Sequence, residues 1–242
     1  MVQPMTELLT ILWLALSAVL PAVAAGGEVE QQPAVKFSEA ETRMWMTNQL
    51  HSVTRPMDLH YEFHRTGSHS MDLNFDDKVE LSIETINADG SKNGSLRFLP
   101  GTRAGPPQAI ESSTVNLILG LYLSGDAREM TFLTDPDGKA RERWRYFERG
   151  IKSALADTAT VKATTFDFDG RRWNGYEISF TPYVKDPRRS LFEKFADKRY
   201  SVVVSDDLPG YLYRIETLIP SEDPAQPLIR EVLQLTSVEP KK

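Results

Sequence analysis

The chain has 242 residues, 40% hydrophobic and 26% charged, with a formal net charge of -6 and no cysteine. Such a composition excludes collagen, coiled coil and bulk disorder, and the acidic balance argues against nucleic-acid binding, which needs a basic face. Without cysteine there is no disulfide frame, thiolate nucleophile, zinc ribbon or lipid-bearing N-terminal cysteine, so the fold rests on apolar burial alone.

Leu8 to Leu20 is an apolar run without a charge, and it leads through Pro21 into Ala22-Val23-Ala24-Ala25-Gly26. That layout predicts a secretory signal over residues 1–25, cut near Ala24 or Ala25, although the segment before it carries Glu7 and no Lys or Arg. A membrane span is disfavoured, because one needs about 20 apolar residues and Pro21 interrupts this run. An exported, acidic, cysteine-free protein points to the bacterial periplasm. The mature domain is then residues 26–242.

Ser38 and Glu41 have capping-box spacing, and Phe37, Met44, Trp45 and Leu50 supply an apolar stripe, which predicts a helix from Ser38 to about Leu50. Strands follow. Leu59, Tyr61 and Phe63 alternate with polar residues in Asp58–His64, as do Val79, Leu81 and Ile83 in Lys78–Ile86. After the turn residues 87–94 a third strand covers Ser95–Leu99, and a loop rich in Pro and Gly spans Pro100–Pro107. The apolar stretch LILGLYL reads as a short buried helix, capped by Thr114 and ended by Gly125. Asp135-Pro136-Asp137-Gly138 predicts a turn between Glu129–Thr134 and Glu142–Phe147, with arginines alternating along the second as on a strand. A helix over Glu148–Asp157 comes next. Thr160–Phe168 and Arg172–Pro182 flank Asp169-Gly170 as an aromatic hairpin. A helix over Pro187–Ala196, with Leu191, Phe192 and Phe195 inward, precedes the last strands, Tyr200–Ser205, Tyr211–Ile219 and Leu228–Val238. No linker or repeat divides this order. It predicts a single α+β domain, a strongly curved antiparallel sheet with helices over one face.

Motifs for catalysis mostly fail: there is no dinucleotide fingerprint, phosphate loop, nucleophile elbow or zincin helix, and no cofactor is implied. The four histidines, His51, His60, His64 and His69, crowd into one segment. His60 and His64 would share a strand face but stand about 13 Å apart, too far for one ion without His69 folding back. A metal-dependent enzyme through His60, His64 and His69 is one alternative, and a solvated face is the plainer one. Ser68-His69-Ser70 near Asp72 suggests a hydrolase only by adjacency, which is not how a triad is built. Arg141, Arg143, Arg145, Arg149, Arg171 and Arg172 form a basic zone, read either as a solvated strand face or as a dock for an anionic partner or lipid head group.

The apolar inventory is open to two readings: a packed core, or a sheet and helices that leave a lipid-sized cavity between them. For the second, alternation selects Phe63, Leu81, Ile83, Phe98, Phe168, Ile178 and Phe180 as wall residues, with Leu119, Tyr122 and Leu123 from the covering helix.

The helix Ser38–Leu50 behind a signal, the early strand MDLHYEF, the meander through Val79–Ile83 and Leu96–Phe98, the inserted central helices and the late pair Tyr200–Val204 and Tyr211–Ile219 together resemble the LolA/LolB-type superfamily of periplasmic lipoprotein carriers. The resemblance implies an incomplete β-barrel covered by helices, with acyl chains held between them. The missing lipid cysteine resembles the soluble carrier branch. Extra length at Pro100–Pro107 and Pro182–Ala196 departs from the minimal carrier, which leaves the cargo open. The expectation is a non-enzymatic periplasmic carrier of a lipid or acylated ligand, handing it to an inner- or outer-membrane envelope partner. The rival is an interaction or sensor scaffold of the same fold with a filled core.

Overall fold

Period-two apolar patterns favour strands that bury one face, and here those strands join one sheet. The structure, a computed structural model, describes residues 36–68, 74–98, 106–135 and 143–241, all within one compact unit. The expected signal at 1–25, together with His69, Ser70, Asp72 and Arg141, lies outside the described residues.

The strands are β1 (Met57–Thr66), β2 (Phe75–Ile86), β3 (Lys92–Phe98), β4 (Gln108–Ser113), β5 (Thr160–Phe168), β6 (Arg171–Phe180), β7 (Arg199–Val204), β8 (Leu212–Ile219) and β9 (Ile229–Pro240). They form a nine-stranded sheet in the order β4-β3-β2-β1-β9-β8-β7-β6-β5, antiparallel throughout. The first and last strands therefore pair at its centre, and β4 and β5 are its two edges. Register shifts interrupt four of the ladders, at His60/Tyr61, Ile83/Thr85, Lys92/Gly94 and Val203/Val204. Bulges of this kind bend strands and sharpen twist.

Register also defines the inner face. Tyr61 stands opposite Val79 and Leu235, Leu81 opposite Leu96, and Ile215 opposite Val202 and Leu233, and all of these are buried. Helices α2 (Leu117–Thr134) and α3 (Trp144–Asp157) pack with each other, and α2 closes over this face. One side chain, that of Asn116, organises the start of α2. Asn116 caps it by accepting from the Ile118 amide at 3.1 Å, and its Nδ2 donates to Gly210 O at 2.8 Å and to the Tyr61 hydroxyl at 3.1 Å.

Five local expectations need correction. The first helix keeps its capping box, with Ser38 Oγ 3.0 Å from the Glu41 amide and Glu41 Oε2 2.8 Å from the Ser38 amide. It is α-helical only over Glu39–Glu41 (α1) and ends, as a π turn, at Met46 and not Leu50. Side chains take the place of its next turn: Gln49 Nε2 donates to Met44 O at 2.8 Å and Thr47 Oγ1 to Thr42 O at 3.1 Å. Helix α2 is capped by Asn116 instead of Thr114, begins at Leu117 and runs through Gly125 to Thr134. A glycine inside a helix costs about 1 kcal/mol, a small term beside the burial of Ile118, Leu119, Leu123, Ala127 and Met130. Of the strand expected over Glu142–Phe147, Glu142 lies outside the described residues and 143–147 are not a strand; α3 starts at Trp144, and the Arg-Trp-Arg-Tyr alternation there is too short to outweigh Phe147, Ile151, Ala154 and Leu155 on one helical face. Pro187–Ala196 forms two 3₁₀ turns, Arg189–Leu191 and Glu193–Asp197, with Phe192 and Phe195 buried three residues apart and Leu191 exposed. The strand β4 was not expected, because Ile110 is its only buried residue.

Candidate functional site

Helix α2 presents Ile118, Leu121, Tyr122, Gly125, Asp126 and Glu129, spaced as one face, toward the sheet. Opposite stand Phe63 of β1, Phe75, Asp77 and Val79 of β2, Phe98 of β3, and Glu231 and Leu233 of β9. Between them lies a cleft of about 300 Å³. Its rim is apolar and wet, with Phe98 43% and Leu121 36% exposed. Phe63 meets Phe75 and Tyr122 with ring centroids 5.4 and 6.4 Å apart. A glycine at 125 matters here: a Cβ at that position would meet nothing within 4 Å.

The floor of the cleft is ionic. Lys198 is fully buried between the 3₁₀ turns and β7. Its Nζ binds Asp126 and lies 3.9 Å from Glu231 and 4.0 Å from Glu129. Arg65 bridges Glu129 and Glu231, the latter at 2.5 Å. Tyr200 donates to Asp126 at 2.5 Å, while Thr217 and Tyr122 donate to Glu231 at 2.9 and 3.2 Å.

These neighbours set the proton affinities. Burial works to raise Glu231, but Lys198 and Arg65, with the Thr217 and Tyr122 hydrogen bonds, more than offset it and hold this carboxylate below its ordinary range. Asp126 is raised by burial, which Lys198 does not fully cancel. Burial lifts Glu129 to about 7 against the pull of Lys198. Lys198 itself is pulled down by burial, yet the three carboxylates dominate and keep it charged. Replacing a buried ion pair by apolar residues is often neutral, whereas removing one partner is costly, so the floor is held together mutually.

One carboxylate oxygen from each of Asp126, Glu129 and Glu231 lies within 4.8 Å of the others, a spacing that a metal ion could exploit. The Lys198 ammonium already brings its positive charge to all three, so the trio does not fit a resident metal.

The expected wall residues separate. Phe63, Phe98 and Tyr122 border this cleft. Leu119 borders a second groove of about 290 Å³, between the first helix and the outer side of α2, which shares Leu121 with the first. Leu81, Ile83, Leu123, Ile178 and Phe180 are buried in the core. Phe168 sits with Trp173 and Tyr213, 6.3 and 6.2 Å between centroids. Phe166 pairs with Trp173 and Val161 with Ile178, each pair five residues from the other, so Phe168 and Ile178 occupy opposite sheet faces.

His60 and His64 do not converge. His60 reaches Glu80 at 3.6 Å and Glu239 at 3.8 Å, and His64 bonds Asp76 at 2.7 Å, each with its own carboxylates on the outer face. The basic zone divides between α3, where Arg145 lies 5.2 Å from the Trp144 ring, opposed by Arg128 of α2 at 5.4 Å, and the hairpin tip, where Arg171 stacks on Trp173 at 3.3 Å and Arg172 pairs with Asp167. Sequence reasoning passed over Arg65, Asp126, Glu129, Lys198 and Glu231. Their signal was present: Arg65 and Glu231 occupy inward positions of alternating strands, where an apolar residue is the rule.

Among the described residues no helix is long and apolar enough to cross a membrane. No protein-family model and no curated protein matches the chain. Solved structures it is similar to include lipoprotein LppX of Mycobacterium tuberculosis, with 11% identity and a TM-score of 0.34 over 85% of this chain and 98% of that one. LprF of Mycobacterium bovis is similar at 9% identity and a TM-score of 0.28, over 84% and 94% of the two chains. A LolA superfamily protein of Nitrosomonas europaea is similar at 8% identity and a TM-score of 0.23, over 84% of this chain and 94% of that one.

Proposed function

We propose that this protein is a non-enzymatic carrier that holds the apolar chain of a lipid or acylated ligand in the cleft between α2 and strands β1, β2, β3 and β9. The observation that carries this reading is the cleft itself: aromatic and aliphatic side chains line an open groove of about 300 Å³, and two of them stay exposed at its rim. That volume lies at the lower end of the range for small-molecule sites, roughly 300–1,000 Å³. Phe63, Phe98 and Tyr122, with Phe75, Val79, Leu121 and Leu233, are the residues proposed to touch the ligand. Binding and not turnover is the proposed activity, because Asp126, Glu231, Arg65 and Lys198 on the floor are engaged with one another. Export to the periplasm, with residues 1–25 removed, and delivery to an inner- or outer-membrane partner complete the proposal.

A homologous series of n-alkyl alcohols tests it by displacement of a neutral fluorescent dye. Each methylene buried contributes about 0.8 kcal/mol, close to fourfold in affinity, until the cleft is full. Gly125→Phe places a ring in the open space above residue 125 and is expected to abolish binding while leaving the circular dichroism spectrum intact. Affinity that ignores chain length, or survives in Gly125→Phe, refutes the carrier reading and favours the scaffold with a filled core.

A further inference from the structure

We propose that the cleft selects apolar ligands bearing a cationic, amine-type head group, which pairs with the Glu129 carboxylate. This inference rests on the carrier reading above and names the chemistry of its ligand.

Charge among the described residues that line the cleft has one sign. Among the described residues, the ionisable groups that border it, leaving aside the Tyr122 phenol, are Asp77, Asp126, Glu129 and Glu231, with no lysine, arginine or histidine. Arg65 and Lys198 stand behind these carboxylates and are engaged by them. Among the described residues of the floor, three carboxylates therefore face two cations, and one negative charge is left over.

That surplus falls on Glu129. Its side chain is 23% exposed, against 2% for Asp126 and 5% for Glu231, so it is the floor group most open to an incoming molecule. Glu231 receives Arg65, Thr217 and Tyr122, and Asp126 receives Lys198 and Tyr200. Glu129 takes Arg65 on Oε1 alone; its Oε2 has Lys198 at 4.0 Å, beyond hydrogen-bond reach, and no donor among the described residues. An ammonium entering the cleft would meet that oxygen in a site of low dielectric, where a charge-assisted hydrogen bond is strong. A fatty-acid carboxylate would meet four acids instead.

The geometry also couples binding to pH. Among the described residues, the groups that act on Glu129 or share the cleft with it are Tyr122 and Asp126 on its own helix, Arg65 on β1, Asp77 on β2, Glu231 on β9 and Lys198 ahead of β7; Tyr200 on β7 is engaged by Asp126 and Glu148 on α3 by Ser124. Protonation of Glu129 near pH 7 removes the surplus charge, and a cationic ligand must displace that proton. Affinity for an amine then rises with pH, by about thirtyfold from pH 5.5 to pH 8 for a proton held at about 7. A neutral ligand follows no such curve.

The experiment compares n-decylamine, n-decanol and decanoate as displacers of a neutral dye from the full-length protein, between pH 5.5 and 8. Decylamine is expected to bind at least tenfold more tightly than decanol at pH 8 and decanoate more weakly than either. The amine-to-alcohol ratio is expected to fall steeply toward pH 5.5 and to approach one in Glu129→Gln. The pH profile of the unaltered protein decides the matter even where that variant folds poorly. Equal affinities for all three at pH 8, or a flat ratio across pH, overturn the head-group inference and leave the cleft standing. Failure of all three to displace the dye overturns the carrier reading together with it.

Discussion

Removing Lys198 tests the floor most directly. In Lys198→Met an apolar chain of similar length occupies the buried channel, and Asp126, Glu129 and Glu231 lose the cation they share. At about 4 Å and an effective dielectric of about 20, each pair is worth roughly 4 kcal/mol. Desolvating the ammonium already consumes several kcal/mol of that sum, and orphaned carboxylates relieve themselves by taking up protons. The net loss expected at pH 8 is therefore about 3–5 kcal/mol, the usual cost of breaking a buried ionic pair on one side. For a domain of this size it lowers the melting temperature by roughly 10 °C. The variant binds more protons in its folded state than the parent does, so part of the loss returns on acidification. Urea midpoints are expected to recover about 2 kcal/mol between pH 8 and pH 5.5. A loss under about 1 kcal/mol at pH 8, or one of the same size at both pH values, refutes the claim that Asp126, Glu129 and Glu231 all depend on the Lys198 ammonium.

Three further outcomes are expected. Glu129 holds its proton more tightly when folded than when unfolded, so its contribution to stability declines as pH rises from its ordinary value, about 4.5, to about 7 and is level above that. Urea melts of the parent minus those of Glu129→Gln should drop by about 3 kcal/mol across that window, and a flat difference refutes the assignment. Gly94→Ala puts a Cβ 1.8 Å from the Ser82 carbonyl oxygen across the β2–β3 ladder. It should cost at least about 2 kcal/mol in thermal unfolding, with lost amide protection in β3. Ser38→Ala removes the cap on the Glu41 amide and the 2.8 Å bond from Ser38 Oγ to Leu155 O. About 1–2 kcal/mol is the expected loss by chemical denaturation.

Strands were legible in this sequence where alternation was clean, as in β1 and β2, and where a turn carried its own chemistry, as at Asp169-Gly170, both at positive φ. Helix boundaries were less so. Gly125 reads as a stop on local grounds, yet burial of α2 overrides it, and four alternating residues at the start of α3 mimic a strand. Of the cleft, alternation supplied Phe63, Phe98 and Tyr122. It cannot separate a wall residue from a core residue, because both point inward, and so Leu81, Ile83, Ile178 and Phe180 came with them. Phe168 went astray for another reason: β5 turns both its faces to aromatic or aliphatic neighbours, and parity alone does not say which one the helices cover. The ionic floor was hidden because its members come from β1, α2, the approach to β7 and β9, and only the fold brings them together.

The two open edges of the sheet carry a consequence for crowded solutions. An unpaired strand is a template for another molecule of the same chain, and proteins blunt such edges with charge, brevity or a kink. At β4 the edge is six residues long and broken by Ser112 at φ 46°, whose amide is taken by Asn93. At β5 it runs nine residues, and only Lys162 and Asp167 interrupt its uncharged row. Resistance to edge-to-edge polymerisation thus rests on one lysine and one aspartate at β5, and on a short strand with Glu111 and a bent serine at β4. Lys162→Val, silent for the cleft, would turn concentrated protein toward fibrils.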